Sequence, residues 1–179
     1  MFYEIEIAGL KRKLPLCPIN DELSIGAFVM FGDIEITKAA AKALLDKAPE
    51  FDVIVTAESK GIPLAYEMAR SSENKAYVVC RKAQKLYMLD IIETVVESIT
   101  TDHVQKLCLG QSDIDLLEDR RVLIVDDVIS TGESLRSIEK LLAKVNCTVV
   151  GKMSVLAEGD AIQRNDIIYL EELPLFNPD

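Results

Sequence analysis

The chain has 179 residues, of which 49% are apolar and 28% charged, with a formal net charge of −10. That length and apolar fraction fit one domain with a sizeable core and exclude wholesale disorder. The acidic balance excludes general nucleic-acid binding, no apolar run reaches the length of a transmembrane helix, and the N-terminus lacks the basic start and apolar run of a secretory signal, so neither nucleic acid nor membrane is expected as a partner.

Four scattered cysteines, Cys17, Cys80, Cys108 and Cys147, form no CxxC pair. They read as reduced thiols of a cytoplasmic protein. One histidine, His103, excludes a histidine-rich metal site. In chain order, residues 1–36 hold short extended pieces and turns. Thr37 to Lys47, "TKAAAKALLDK", predicts a helix capped by Thr37. Phe51 to Thr56 is a buried strand, and Ile62 to Arg70 a helix with Leu64, Ala65, Met68 and Ala69 on one face. Lys75 to Cys80 is the next strand. Residues 84–118 form a long mixed segment in which Val95 to Ile99 and Gln105 to Leu109 pair as an antiparallel excursion, either a lid or a hairpin that only packs. Val122 to Val125 is a strand. Glu133 to Val145 is a helix with an apolar stripe at Leu135, Ile138, Leu141, Leu142 and Val145, stopped by Asn146. Thr148 to Leu156 is a further strand. The ending "YLEELPLF" adds apolar residues that either close a hood with the N-terminal segment or pack as a last strand. This rhythm predicts an α/β fold, a mainly parallel sheet flanked by helices.

Ligands bind such sheets at the carboxyl ends of the strands. Two loops stand there, Ala57 to Gly61 and Asp126 to Glu133. In the second, Gly132 permits close backbone approach, and the following helix turns its unpaired N–H groups back on the turn, a good phosphate site. Ser130, Thr131 and Ser134 add hydroxyls. The adjacent Asp126 and Asp127 are wrong for phosphate but right for sugar hydroxyls, and they draw in Mg²⁺ through water. A phosphate site beside a diol site suggests a ribose 5-phosphate.

The string "VLIVDDVISTGES" resembles the phosphoribosyl-pyrophosphate (PRPP) motif of type I phosphoribosyltransferases. The resemblance implies that Asp126 and Asp127 hold the ribose 2′ and 3′ hydroxyls, and that Val128, Ser130, Thr131, Gly132, Glu133 and Ser134 surround the 5-phosphate. "AESKGIPLA" is similar to the pyrophosphate loop of the adenine enzymes, which implies that Glu58, Ser59, Lys60 and Gly61 grip pyrophosphate. "CRKAQKL" is similar to their RKxxKL segment, which implies the same for Arg81, Lys82 and Lys85, partly across a homodimer. These cations make the site locally positive inside an acidic protein. The likeness spans roughly residues 50–156, and more weakly the ends.

The resemblance further implies a single domain over 1–179, with a hood from 1–36 and 157–179 and a flexible loop at 84–118. Within that loop Asp102 falls where the adenine enzymes carry a catalytic acid, and His103 falls beside it. "FVMFGDIEITKAA" is similar to a hood stretch of those enzymes, with Phe31 placed to stack on a base, but Gly32 stands where they carry an arginine. The expected reaction passes the 5-phosphoribosyl group from PRPP, with Mg²⁺ carried by the donor, to a purine base in salvage. Asp126, Asp127 and Asp102 are the expected catalytic residues. The alternatives are a non-catalytic PRPP-binding regulator, although no basic helix-turn-helix precedes the core, and transfer to another base such as orotate. A P-loop nucleotidase lacks its GxxxxGK[ST] string, and a Cys or Ser hydrolase lacks a partner base.

Overall fold

The computed structural model describes residues 1–73, 75–97 and 104–177. Strands β1 (Phe2–Ile7), β2 (Leu10–Pro18) and β3 (Ser24–Gly26) form a small antiparallel meander. Helix α1 (Ile34–Leu45) leads to β4 (Val53–Ala57), α2 (Ile62–Ser71) and β5 (Ala76–Cys80). A separate antiparallel hairpin follows, β6 (Ile92–Glu97) and β7 (Val104–Leu109), with Val95 opposite Lys106. After α3 (Gln111–Leu117) come β8 (Arg121–Ile129), α4 (Glu133–Leu142), β9 (Thr148–Glu158), a 3₁₀ turn at Gly159–Gln163 and β10 (Ile168–Leu173).

The main sheet has the order β10-β9-β8-β4-β5, and every neighbouring pair is parallel. Such a sheet is covered on both faces, which explains the near-continuous apolar strands. Along β8, Leu123 and Val125 enter one core, shared with α1, α2 and the meander. Val122 and Ile124 enter the other, shared with α3, α4 and β7. Chain direction across the sheet reverses between β4 and β8. β5 lies to one side of β4, and everything after β8 builds on the other. The carboxyl ends of β4 and β8 therefore flank the crevice where ligands settle in open α/β sheets.

Three boundaries differ from the sequence expectation for physical reasons. Helix α1 starts at Ile34, and Asp33 rather than Thr37 is its cap. The Asp33 carboxylate accepts the Ile36 N–H at 3.0 Å and is itself fixed by Arg12 of β2 at 2.7 Å, a partner distant in sequence. Strand β8 continues past Val125, because Asp126, Val128 and Ile129 keep pairing with Ser154, Leu156 and Ala157 of β9. The aspartates thus stand in the strand, not in a loop after it. Helix α4 ends at Leu142, although Val145 still packs into the core beyond it. The chain end packs as a last strand. Ile168–Leu173 is the edge strand beside β9, while Phe176 exchanges backbone bonds with Ser24 of β3 and its ring lies 4.9 Å from that of Tyr3.

Candidate functional site

The loop after β4 and the end of β8 meet at the crevice. A cavity of about 220 Å³ lies between them, lined by Ala57, Glu58, Ser59, Lys60, Lys82, Leu107, Asp126, Asp127, Val128 and Ser134. A second cavity of about 120 Å³ adjoins it, lined by Asp126 and by the turn from Val128 to Leu135. Asp126, Val128 and Ser134 border both cavities, so the two lie side by side.

Gly61 brings the loops this close. A Cβ there would lie 2.4 Å from Thr56 Oγ1 and 3.0 Å from Asp126 Oδ1. Helix α2 starts at this glycine and packs its first turn directly on β8. Lys60, just before it, projects its ammonium to 3.1 Å from Asp127 Oδ2, with the lysine side chain 50% exposed and the aspartate 4%. The contact is an ion pair without hydrogen-bond alignment. Asp127 Oδ2 and Thr56 Oγ1 are the buried side-chain oxygens left without a hydrogen-bond partner among the described residues. An unmet buried acceptor of this kind is costly in a closed core and is commonly resolved by a ligand or water.

Asp126 has a different environment. Its Oδ1 accepts the Asp127 N–H at 2.8 Å. Burial, and then the neighbouring Asp127 charge, raise its pKa well above the ordinary carboxylate range. Hydroxyl groups that donate to both carboxylates would ease the crowding of the two charges.

Glu58 organises the cations. Its carboxylate accepts the Lys82 N–H at 2.9 Å and the Arg81 Nε–H at 3.2 Å. These bonds, the backbone one first, hold its pKa below the usual glutamate value despite some burial. Arg81 also donates to the Tyr87 hydroxyl at 2.7 Å, and its backbone exchanges bonds with Cys108 at 3.0 and 2.8 Å. The β6–β7 hairpin is therefore anchored at the cation cluster, and Leu107 beside the anchor walls the cavity. Lys82 reaches the cavity, while half-buried Lys85 stays close enough to act on Glu58. Glu58–Ser59 is a cis peptide bond.

The turn after β8 ends at Gly132, whose φ of +75° is the left-handed conformation glycine adopts without strain. The N-cap of α4 is Gly132, which has no side chain to offer, and the first turn of α4 lines the smaller cavity. The Thr131 hydroxyl accepts the Glu133 N–H at 3.4 Å, and Ser130 lies near enough to the Glu158 carboxylate to favour its charged form. Phe31 is 52% exposed and lies outside the lining of both cavities. Asp102 and His103 fall outside the described residues.

Four neighbours of the site escaped sequence reading. Glu158, buried at the end of β9, has its pKa raised by burial, partly countered by Ser130. The signal was available, since "VLAE" places an acid after an apolar strand just as "VLIVD" does. Thr56, Arg136 and Arg164 gave none, because nothing local distinguishes them.

A model of the phosphoribosyl transferase domain matches residues 31–171 of the chain. The chain is 34% identical over 154 residues to adenine phosphoribosyltransferase of Bifidobacterium longum (strain DJO10A), covering 81% of this chain and 74% of that protein. It is 31% identical over 113 residues to the purine biosynthesis transcriptional repressor PurR of Bacillus subtilis (strain 168), covering 63% of this chain but only 38% of the repressor's length. Its fold matches the crystal structure of adenine phosphoribosyltransferase from Thermoanaerobacter pseudethanolicus with a TM-score of 0.67 at 22% identity, over 96% of this chain and 95% of that one.

Proposed function

The chain belongs to the phosphoribosyl transferase domain family, and from that premise we propose that it transfers the 5-phosphoribosyl group of PRPP to a purine base, yielding a nucleoside 5′-monophosphate and pyrophosphate. One observation carries the reading. Asp126, the buried Asp127 whose Oδ2 lacks a hydrogen bond, and the glycine turn before α4 line two adjoining cavities at the sheet's reversal point. A pentose phosphate has complementary groups at the two ends.

In this reading Asp126 and Asp127 accept the ribose hydroxyls, and the backbone of Val128 to Ser134 receives the 5-phosphate. Lys60, with Ser59 and Gly61, faces pyrophosphate, and Arg81, Lys82 and Lys85 extend the positive field as Glu58 holds their loop in place. As the bond to C1 breaks, negative charge grows on pyrophosphate and positive charge on the ribose. Fixed cations and carboxylates on opposite sides stabilise both, without reorganisation. The base attacks C1 from the face opposite pyrophosphate, and enclosure of the crevice keeps water from competing. Among the described residues no three His, Cys, Asp or Glu side chains converge as a metal cage. The oxygen-only carboxylate pair nevertheless suits Mg²⁺ arriving with the donor. That ion would offset charge on the leaving group.

A catalytic role for Asp102 and stacking by Phe31 complete the proposal. So does a homodimer, which would cover the exposed Leu86, Tyr87 and Leu89 beside the cation loop. All four cysteines are unpaired, which supports a reducing, cytoplasmic setting. The match to the repressor favours a second reading, a regulator that binds PRPP without turnover.

One experiment separates the readings: pyrophosphate release from PRPP and Mg²⁺ with adenine, hypoxanthine, guanine, xanthine or orotate. Turnover with a purine is expected. Orotate alone as acceptor would overturn the purine assignment, and PRPP binding without turnover on any base would favour the regulator.

A further inference from the structure

We propose that Arg164 is a positioning residue for the turn that receives the 5-phosphate, an inference that rests on the functional reading above. The turn has a single conformation to maintain. Gly132 must stay left-handed for the N–H groups of the α4 N-terminus to converge on one anion. Of the nearby hydroxyls, Thr131 spans the glycine with one long bond from the Glu133 N–H at 3.4 Å.

Two guanidinium groups also brace the turn. Arg136 Nη2 donates to the Thr131 carbonyl at 3.1 Å. Arg164 packs on the next residue, its Nη1 2.6 Å from where a Cβ on Gly132 would sit. A Cβ there would push that guanidinium aside, and the left-handed φ of Gly132 separately disfavours other residues. Asp166 grips Arg164 with both oxygens, Nε to Oδ1 at 2.9 Å and Nη2 to Oδ2 at 2.8 Å, a fork geometry that fixes the plane of the group. Asp166 also receives Lys152 at 3.1 Å, and Lys152 pairs with Glu139 on α4. The connection between β9 and β10 is thus tied to the helix whose N-terminus forms the phosphate site, and Arg164 transmits that tie to the glycine. A guanidinium acting through charge alone would weaken anion binding in R164Q but strengthen it in D166N, where an acid is lost, so the sign of the D166N change discriminates between the two.

The test is calorimetric titration of the full chain with ribose 5-phosphate, alongside steady-state kinetics with varied PRPP, for wild type, R164Q, R164K and D166N. R164Q is expected to weaken ribose 5-phosphate by about 10-fold or more, the scale of a lost charged contact, with the change carried by the KM for PRPP rather than kcat. R164K keeps the charge but not the fork and should fall between R164Q and wild type. D166N frees the guanidinium and should weaken binding in the same direction. Thermal melts establish that each variant folds, and R164K stands in if R164Q does not. Unchanged affinity in R164Q or R164K, or a loss confined to kcat, overturns the inference while leaving the functional reading intact. A wild type that ignores ribose 5-phosphate overturns both.

Discussion

Removing the Lys60 ammonium tests how the empty site tolerates its own carboxylates. The ion pair to Asp127 spans 3.1 Å. At an effective dielectric of about 20, Coulomb's law gives a gross attraction of about 5 kcal/mol at that distance. The lysine is 50% exposed and the aspartate 4% exposed, so solvent screens one partner only. The net value should lie above the ~0–1 kcal/mol of exposed pairs and below the ~3–5 kcal/mol lost when a buried pair is broken, at about 1–2 kcal/mol. Urea unfolding of wild type, K60M, D127N and K60M/D127N at pH 7 measures it as a coupling energy. K60M should be the less stable single variant, because it strands an aspartate whose Oδ2 already lacks a hydrogen bond. D127N, by contrast, also relieves the charge beside Asp126. Saturating ribose 5-phosphate, which lacks the pyrophosphate that Lys60 faces, should shrink the difference between backgrounds that keep Asp127, since ribose hydroxyls would then serve that oxygen. A coupling energy indistinguishable from zero would refute the argument that Lys60 holds Asp127 in the empty protein.

Two further perturbations probe the same crevice. D126N should lower kcat by the equivalent of about 2–4 kcal/mol, the range for losing a preorganised electrostatic group, as read by pyrophosphate release. The same variant should gain stability relative to wild type as pH rises. Folding raises the Asp126 pKa, so wild type binds more protons folded than unfolded and loses stability as pH climbs above the unfolded value of about 4, while Asn does not titrate. The melting-temperature advantage of D126N should be small at pH 4 and grow toward neutrality, and a flat difference would contradict the burial argument. G61A puts a methyl group 2.4 Å from Thr56 Oγ1 and 3.0 Å from Asp126 Oδ1. It should cost about 1–3 kcal/mol of unfolding free energy and weaken PRPP binding, checked by urea melts and titration.

Periodicity and one short string made much of the protein legible. Alternation of apolar strands with amphipathic helices determines a parallel sheet covered on both sides, because a strand buried on both faces has no polar positions to spare. "VLIVDDVISTGES" carried its chemistry locally: an acid pair at the sheet's edge, a glycine turn and a helix start lie within one continuous stretch. "AESKG" and "CRKAQKL" were legible for the same reason, although nothing in either string reveals that Glu58 of one receives Arg81 and Lys82 of the other.

What the sequence left open depends on contacts between distant segments. Thr37 and Asp33 are equally good caps in isolation, and Arg12 from the meander selects Asp33. The aspartates became strand residues only because β9 extends alongside them. Sheet order alone decided that Lys60 and Asp127 face one another, that Glu158 stands under Ser130, and that Arg164 lies on Gly132. The hydrophobic pattern specifies which faces are buried but not which strand lies beside which. The chain itself therefore wrote the chemical groups of the site, and the folding of remote segments onto the β4–β8 crevice set their distances.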